Sequence, residues 1–341
     1  MSTWPSTSRI VTAFGCGADT IGVSFERAPA PTKTASAGWY NNRAFEAEAR
    51  AAGRKAVTLE GDGFSDAVKD AAVAAIRGTL GQVDMLIYSM AAPVRVHPVT
   101  GVTYRSAIKP LGAPVKVKTL NTDTGEVFDA ELAPATPEEE AATVAVMGGE
   151  DWERWIDALD SAGVLAPGFR TLSYTYIGSE LTWPIYWRAT LGKAKEDLDR
   201  AAVAIRARLG EGAARVVSLK AVVTQASSAI PVVPLYGTVL FRVMKQMGLH
   251  EGCLEQISRL FRQVLSHPVL DEAGRLRLDD VELSEPVQAE VTRRWQSVTT
   301  QTMGELADLP GYRADFLRLF GFGVAGVDYA QDVDPMMGTA G

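Results

Sequence analysis

In the first part of the chain, short runs of branched and aromatic residues alternate with longer stretches of helical periodicity. Thr20-Ile-Gly-Val-Ser-Phe25 predicts a strand ending in the polar pair Glu26 and Arg27. A helix across Asn42 to Gly53, a strand over Lys55 to Leu59, a helix from Ser65 to Leu80 and a buried strand over Val83 to Tyr88 follow. Alternation of this kind specifies a parallel α/β sheet whose ligand site lies at the C-terminal ends of the strands. Further on, Phe169 to Tyr174 and the run beginning at Ala214 predict two more strands. Val239 to Met247, Val287 to Val298 and Tyr312 to Gly323 predict helices.

Between Val96 and Asp129 the alternation breaks. Short runs surround Pro110-Leu-Gly-Ala-Pro114 and Asn121-Thr-Asp-Thr-Gly125, the second a strong turn signal. The expectation is an inserted hairpin or small sheet at about 96–135, placed to cover a substrate. Thr136-Pro-Glu-Glu-Glu opens a helix, with Thr136 as cap, Pro137 at the first helical position and Glu139 completing a capping box. Gly148-Gly-Glu-Asp151 and Trp152 lead into a second amphipathic stretch through Leu159, and its carboxylates read as capping and surface charge. With no internal repeat in the sequence, 1–330 is expected to form one domain followed by a loose tail at 331–341.

At 341 residues with 47% hydrophobic content, the chain is long enough to bury a substantial core. The net charge of -7, from 34 basic and 41 acidic side chains, gives no nucleic-acid footprint. Cys16 and Cys253 stand far apart, as do His97, His250 and His267, so the sequence holds no zinc or haem motif. Both thiols read as reduced packing residues of a cytoplasmic protein. The N-terminus lacks the basic start and apolar block of a secretory signal. The apolar stretch from Ala229 to Val243 is interrupted by Pro231, Pro234 and Arg242, which argues against a membrane span.

The densest chemistry lies in Tyr174-Thr-Tyr-Ile-Gly-Ser-Glu-Leu-Thr-Trp-Pro-Ile-Tyr186, followed by Trp-Arg-Ala-Thr-Leu-Gly-Lys-Ala-Lys195. A phenol and an ammonium held close together donate a proton or stabilise an enolate while a neighbouring cofactor supplies hydride, as a reductase requires. On an unbroken helix, Tyr186 and Lys195 would be separated by about 13.5 Å of rise and lie on roughly opposite sides. Pro184 disfavours helical geometry at Trp183 and suits a helix start. Tyr186 is therefore expected in or just before a first helical turn, with Lys195 reaching in from the helix. Taken alone, the two positions fit an interface tyrosine and a solvated lysine better, and the context has to decide.

Tyr174 to Asp199 resembles the catalytic stretch of the FabV-type enoyl-[acyl-carrier-protein] reductases, also described as trans-2-enoyl-CoA reductases, a branch related to the short-chain dehydrogenases. The resemblance extends through Ala37-Gly-Trp-Tyr-Asn41, Tyr88-Ser-Met-Ala-Ala-Pro-Val-Arg95 and Val146-Met-Gly-Gly-Glu-Asp-Trp152. It continues through Val223-Thr-Gln-Ala-Ser-Ser-Ala-Ile-Pro231 and Phe316-Leu-Arg-Leu-Phe-Gly-Phe-Gly323, and so covers nearly the whole chain. It implies a Rossmann-like, mostly parallel α/β sheet with helices on both faces, an inserted small sheet and extra C-terminal helices. It implies NADH-dependent reduction of the 2,3 double bond of a trans-2-enoyl thioester on coenzyme A or acyl carrier protein, by a monomer without stable membrane association. By the resemblance, Tyr186 is the proton donor or enolate stabiliser, Lys195 orients the cofactor ribose, and Tyr176 is an auxiliary phenol facing the thioester oxygen. Family members begin with a further segment holding the first strand and a glycine-rich turn, whereas this chain opens at Met1-Ser-Thr-Trp-Pro5. The expectation is a sheet without its first strand, with a gap in the ladder and weakened dinucleotide binding.

The remaining candidates follow the strand ends. Glu26 is placed to accept hydrogen bonds from an adenosine ribose and to repel a 2'-phosphate, although Arg27 beside it attracts one. The resemblance marks this position as cofactor-selecting and points to NADH rather than NADPH. Asp62 is placed for an adenine amino group, or equally to cap the next helix. Ser89 and Ala91 let a dinucleotide approach the backbone, and Arg95 is placed for a phosphate or a pantetheine amide. Thr224, Gln225, Ser227 and Ser228 offer donors for a carboxamide and pyrophosphate, or cap the following helix. Met244 and Met247 suit an acyl pocket or ordinary core, and Glu196, Asp197 and Asp199 read as a solvent face. A carbonyl reductase or alcohol dehydrogenase with a related Tyr-Lys pair, and a non-catalytic acyl-thioester-binding remnant, remain as alternative functions.

Overall fold

Where the sequence alternates between branched runs and amphipathic stretches, strands and helices form with boundaries set by caps and glycines. The computed structural model describes residues 3–265 and 268–337. Helix α1 (Thr3–Ile10) runs into a π-helical turn at Val11–Gly15. It is followed by β1 (Thr20–Ser24), α2 (Ala37–Ala51), β2 (Ala56–Glu60), α3 (Asp66–Thr79) and β3 (Val83–Tyr88). Next come β4 (Val94–Val96) paired antiparallel with β5 (Thr103–Arg105), and β6 (Val115–Leu120) paired antiparallel with β7 (Val127–Leu132). Then α4 (Pro137–Met147) and α5 (Glu150–Ser161) lead to β8 (Leu165–Thr175), α6 (Thr190–Leu209) and β9 (Ala214–Ser218). The rest is α7 (Gln225–Ser228), α8 (Val233–Gln246), α9 (Cys253–Leu265), β10 (Leu276–Arg277), α10 (Glu285–Ser297), α11 (Met303–Leu306) and α12 (Leu309–Arg318).

The parallel sheet is in two pieces. One is the pair β1-β2, and the other runs β10-β9-β8-β3. Among the described residues no strand pairs with the second edge of β1 or of β3, which is the expected gap. Helix α3 spans it, with Ile76 in one apolar cluster with Ile21 of β1 and Val83 and Leu86 of β3. The C-terminal ends of the two pieces adjoin, since a side chain begun at Gly63, just after β2, would lie 3.1 Å from Met90 Cε, just after β3.

Helices cover both faces of the larger sheet. Leu172, Tyr174, Val217 and Leu219 pack on Val11 and on Ile257, Leu260 and Phe261 of α9. Phe169 and Val216 face Trp152 and Ile156 of α5 and Leu198, Ala202 and Ile205 of α6. A third cluster, of Tyr236, Val239 and Leu240 with Val287, Val291, Leu309 and Tyr312, docks α8 against α10 and α12. No helix among the described residues is long and apolar enough to cross a membrane.

Several boundaries differ from expectation. Helix α2 begins at Ala37 rather than Asn42, and α8 at Val233 rather than Val239, with Pro234 in its first turn. The insertion is two hairpins, the longer one closed at Asn121, whose carbonyl accepts the Gly125 N–H at 2.8 Å. The Thr136 capping box forms, with Glu139 N–H donating to Thr136 Oγ1 at 3.2 Å and Thr136 N–H to Glu139 Oε2 at 3.0 Å. Of the expected loose tail, residues 338–341 lie outside the described residues, and the part before them is tied down by the Tyr40 hydroxyl, which donates to Pro335 O at 2.6 Å.

The acidic cluster at 148–151 is not simply a surface. Asp151 is buried and pairs with the buried Lys69 ammonium at 2.9 Å while accepting the Tyr88 hydroxyl at 3.2 Å. Lys69 also donates to Gly63 O and Phe64 O, at 3.2 and 3.0 Å, so this network ties α3 and α5 to the end of β3. Arg95 is buried against it, bonded to Glu150 and to Ala145 O. Removing one partner of a buried pair leaves the other charge uncompensated. Asp151→Ala is therefore expected to cost about 3–5 kcal/mol, read as a lowered urea midpoint at unchanged slope.

Candidate active site

Strand β8 carries the chain to Thr175, and Tyr176 follows at its C-terminal end. Gly178, at φ +74°, reverses the chain there, because a side chain would come within 2.6 Å of Thr182 Oγ1 and 2.7 Å of the Tyr176 ring. Pro184 and Tyr186 lie in a run of turns, with Tyr186 N–H donating to Thr182 O at 3.0 Å. Helix α6 starts only at Thr190, so the helix start expected at Pro184 falls after Tyr186. The turn is clamped to the helix by Gly192, whose N–H donates to Tyr186 O at 2.9 Å. A Cβ at Gly192 would lie 1.7 Å from Trp187 O, so only glycine permits this approach.

The two phenols meet edge to face, the Tyr176 and Tyr186 rings 5.0 Å apart at 82°. Tyr186 is buried with Leu191 and Ala194 of α6, Val146 and Met147 of α4, and Ile230 and Val233. Lys195 belongs to the buried stripe Leu191, Ala194, Lys195, Leu198 and Ala202 of α6, and is not a solvated residue. Burial alone lowers the Lys195 ammonium from 10.5 to about 8, and burial alone raises the Tyr186 phenol above its ordinary range. No charge or hydrogen bond from the described residues relieves either group. On the face of β8 turned toward α5 and α6, the buried Ser173 and Thr175 hydroxyls also have no hydrogen-bond partner. Tyr176 is half-buried and donates to Glu282 Oε1 at 3.1 Å. Sequence reasoning missed Glu282, because one carboxylate in the polar run Asp279 to Glu285 carries no periodic signal that it turns inward.

The other candidates occupy the same C-terminal edge in different ways. Glu26, after β1, lies over the first turn of α2, its carboxylate within 2.0 Å of where a Gly38 side chain would begin. Asp62, after β2, accepts the Phe64 N–H at 3.0 Å, whereas the cap of α3 is Ser65, which accepts the Val68 N–H at 3.3 Å. Ser89 and Ala91 follow β3 as half-buried and exposed small residues. Arg95 is committed to Glu150 and Ala145 inside the fold, which removes it from a phosphate-binding role. Thr224 and Ser227 form a capping box with each other at 2.9 Å in both directions, and Gln225 is exposed. Of the expected solvent face, Glu196 is exposed, whereas Asp197 and Asp199 are half-buried: Asp197 accepts the Gly149 N–H at 2.8 Å and Asp199 accepts from Arg275 Nε at 2.9 Å.

A hollow of about 250 Å³ lies beside the Tyr186 cluster, shared through Ile230 and lined by Thr119, Leu120, Phe128, Ser228 and Pro234. Met244 is core and Met247 is at the exposed end of α8, so neither lines this hollow. Val232 next to it holds φ +74°, a strained conformation for a branched residue at the start of α8.

Burying an unrelieved ammonium has a sign that stability measurements can read. The Lys195 penalty is fully present below about 8, and disappears as the pH approaches 10.5, where the unfolded chain also loses the proton. The displacement is worth on the order of 3 kcal/mol. Lys195→Met is expected to raise the urea midpoint at neutral pH, and this gain should fade in a series of unfolding curves from neutral to pH 10.5.

Comparison with known proteins identifies the family. Residues 33–266 match a model described as the trans-2-enoyl-CoA reductase catalytic region. Residues 5–31 match the NAD(P)H binding domain of trans-2-enoyl-CoA reductase, and residues 270–333 match an enoyl reductase FAD binding domain. The chain is 54% identical over 332 residues to an enoyl-[acyl-carrier-protein] reductase [NADH] of Burkholderia pseudomallei (strain 1106a), covering 96% of this chain and 84% of that protein. It is 56% identical over 335 residues to the protein of that name from Variovorax paradoxus (strain S110), covering 97% and 84%. The crystal structure of Treponema denticola trans-2-enoyl-CoA reductase in complex with NAD superposes with a TM-score of 0.93 at 45% identity, covering 97% of this chain and 84% of that one. The Clostridium acetobutulicum trans-2-enoyl-CoA reductase in complex with NADH gives 0.92 at 38% identity, covering 98% and 86%. The chain thus belongs to the trans-2-enoyl-CoA reductase family, together with the FabV-type enoyl-[acyl-carrier-protein] reductases.

Proposed function

We propose that this protein reduces the 2,3 double bond of trans-2-enoyl thioesters, carried on coenzyme A or acyl carrier protein, with NADH as reductant. The observation that carries the reading is the pair of contacting phenols, Tyr176 and Tyr186, beside a helix that buries Lys195 without a partner. An unrelieved buried cation is costly, and such groups concentrate where a ligand completes their surroundings. The donor set fits the dinucleotide. Lys195 and the orphan hydroxyls of Ser173 and Thr175 suit a ribose and carboxamide, and Glu26 suits an adenosine ribose over a 2'-phosphate. Small residues at Gly63, Ser89 and Ala91 leave the strand ends open to close approach, and Asp62, Thr224, Gln225 and Ser227 border the same edge. A monomer in the cytoplasm belongs to this reading.

NADH, when bound, supplies hydride to the β carbon of the double bond. Tyr186 stays protonated at neutral pH because burial opposes its ionisation, so its O–H is available to the thioester oxygen where negative charge develops. Lys195, with its ammonium at about 8, is mostly charged at pH 7 and lowers the energy of that negative charge. The hollow beyond Ile230, apolar on the Leu120 and Phe128 side, suits the acyl chain.

Two outcomes follow. The purified chain should oxidise NADH in the presence of a short trans-2-enoyl-CoA, followed by absorbance, and Tyr186→Phe should lower kcat by about 100–1000-fold. Folded wild-type protein without turnover would overturn the reading, and turnover of ketones without thioester dependence would favour a carbonyl reductase. Because Lys195 must carry its proton, kcat should fall as the pH rises through about 8, in a rate profile taken with the fold monitored in parallel.

A further inference from the structure

Glu282 lies before α10 and is fully buried, yet its oxygens reach the candidate site. Oε2 accepts the Ala221 N–H at 2.6 Å, and Oε1 accepts the Tyr236 hydroxyl at 2.7 Å and the Tyr176 hydroxyl at 3.1 Å. Gln288 Nε2 donates to the Tyr236 oxygen at 3.1 Å and to Glu282 O at 2.7 Å, so Tyr236 directs its own hydrogen to the carboxylate. Three converging donors suit an anion, whereas a protonated acid would set hydrogen against hydrogen. Tyr176 has one hydrogen, and Glu282 takes it. Tyr176 therefore offers the site no hydrogen, and its oxygen also interacts with the Thr182 side chain, while the Tyr186 hydrogen is committed to none of the described residues.

Building on the reductase reading, we propose that Glu282 is a positioning residue that holds the Tyr176 hydrogen out of the site and leaves Tyr186 as the sole phenolic donor to the substrate oxygen. This reverses the role expected of Tyr176 from sequence. The groups facing Glu282 are Tyr176, Tyr236, the Ala221 N–H, the buried Lys220 ammonium and the Asp279 carboxylate. Lys220 makes no ion pair with it among the described residues and donates instead to Ala221 O at 2.8 Å. Burial raises the Glu282 carboxyl above the ordinary carboxylate range, against the opposing pull of Lys220, Ala221 and Tyr236. Protonation of Glu282 sends the Tyr176 hydrogen into the site.

Glu282→Gln imitates that release. Its amide oxygen must stay on the Ala221 N–H, so its NH2 faces the phenol oxygens and Tyr176 turns its hydrogen outward. In a Tyr186→Phe background, adding Glu282→Gln is expected to restore kcat by about tenfold or more, with KM for the enoyl-CoA unchanged. A purely structural Glu282 cannot produce a gain. A folded double variant no faster than Tyr186→Phe alone overturns the proposal. Should the Glu282→Gln chain fail to fold, the pH series of Tyr186→Phe decides, since its residual kcat should rise as the pH falls through the Glu282 titration, and a flat profile refutes the assignment. Wild-type turnover measured alongside separates the two levels. Its absence sinks the reductase reading and this proposal with it, while an active wild type with an unrescued double variant sinks the Glu282 role alone.

Discussion

A carbonyl oxygen sits where the side chain of Gly192 would begin, and the geometry of the site follows from that approach. Because the Trp187 carbonyl packs onto bare backbone, the turn carrying Tyr186 lies flat against the first turn of α6. The helix then has one way to meet the sheet, with Leu198, Ala202 and Ile205 on α5 and the strands. The helical repeat carries Lys195 onto that same stripe. The tyrosine is therefore held by a backbone clamp and the lysine by helix packing, and neither depends on a contact between the two side chains.

The interior charges divide into two kinds. Lys69, Asp151, Arg95 and Glu150 neutralise one another and fasten α3, β4 and α5 together, so their burial is offset by partners. Lys195 has none, and the Ser173 and Thr175 hydroxyls near its helix are orphaned as well. In the proposed function, the lone Lys195 cation and the two orphaned hydroxyls are the groups that a bound dinucleotide would complete.

The alternating elements were legible because one periodicity served both local structure and packing. Val83 to Tyr88 and the Thr136 capping box need only their own residues to form. Helix α9 was missed although Ile257, Leu260 and Phe261 recur at helical spacing, since its polar residues obscure the stripe until the sheet is there to receive it. In the candidate site, Tyr176 and Tyr186 stood out by their words in the chain, and the fold brings their rings together. The reach of Arg95 into a buried ion pair and the inward turn of Glu282 were not, because each depends on partners distant in sequence: Glu150 for the first, Tyr176 and Tyr236 for the second. Lys195 was expected to reach in from the helix, but its burial is assigned only by the stripe of α6 around it.

The two pieces of the parallel sheet meet through side chains. Main-chain hydrogen bonds make a sheet cooperative, and none joins β1 to β3 among the described residues. The β1-β2 pair is coupled to the rest through Ile21 on α3 and through Arg9 of α1, which donates to Thr58 Oγ1 at 3.0 Å and to Val57 O at 3.1 Å. A dinucleotide bound as proposed at the C-terminal ends of both pieces would bridge them, and would slow amide exchange at Thr20 to Ser24 and Ala56 to Glu60.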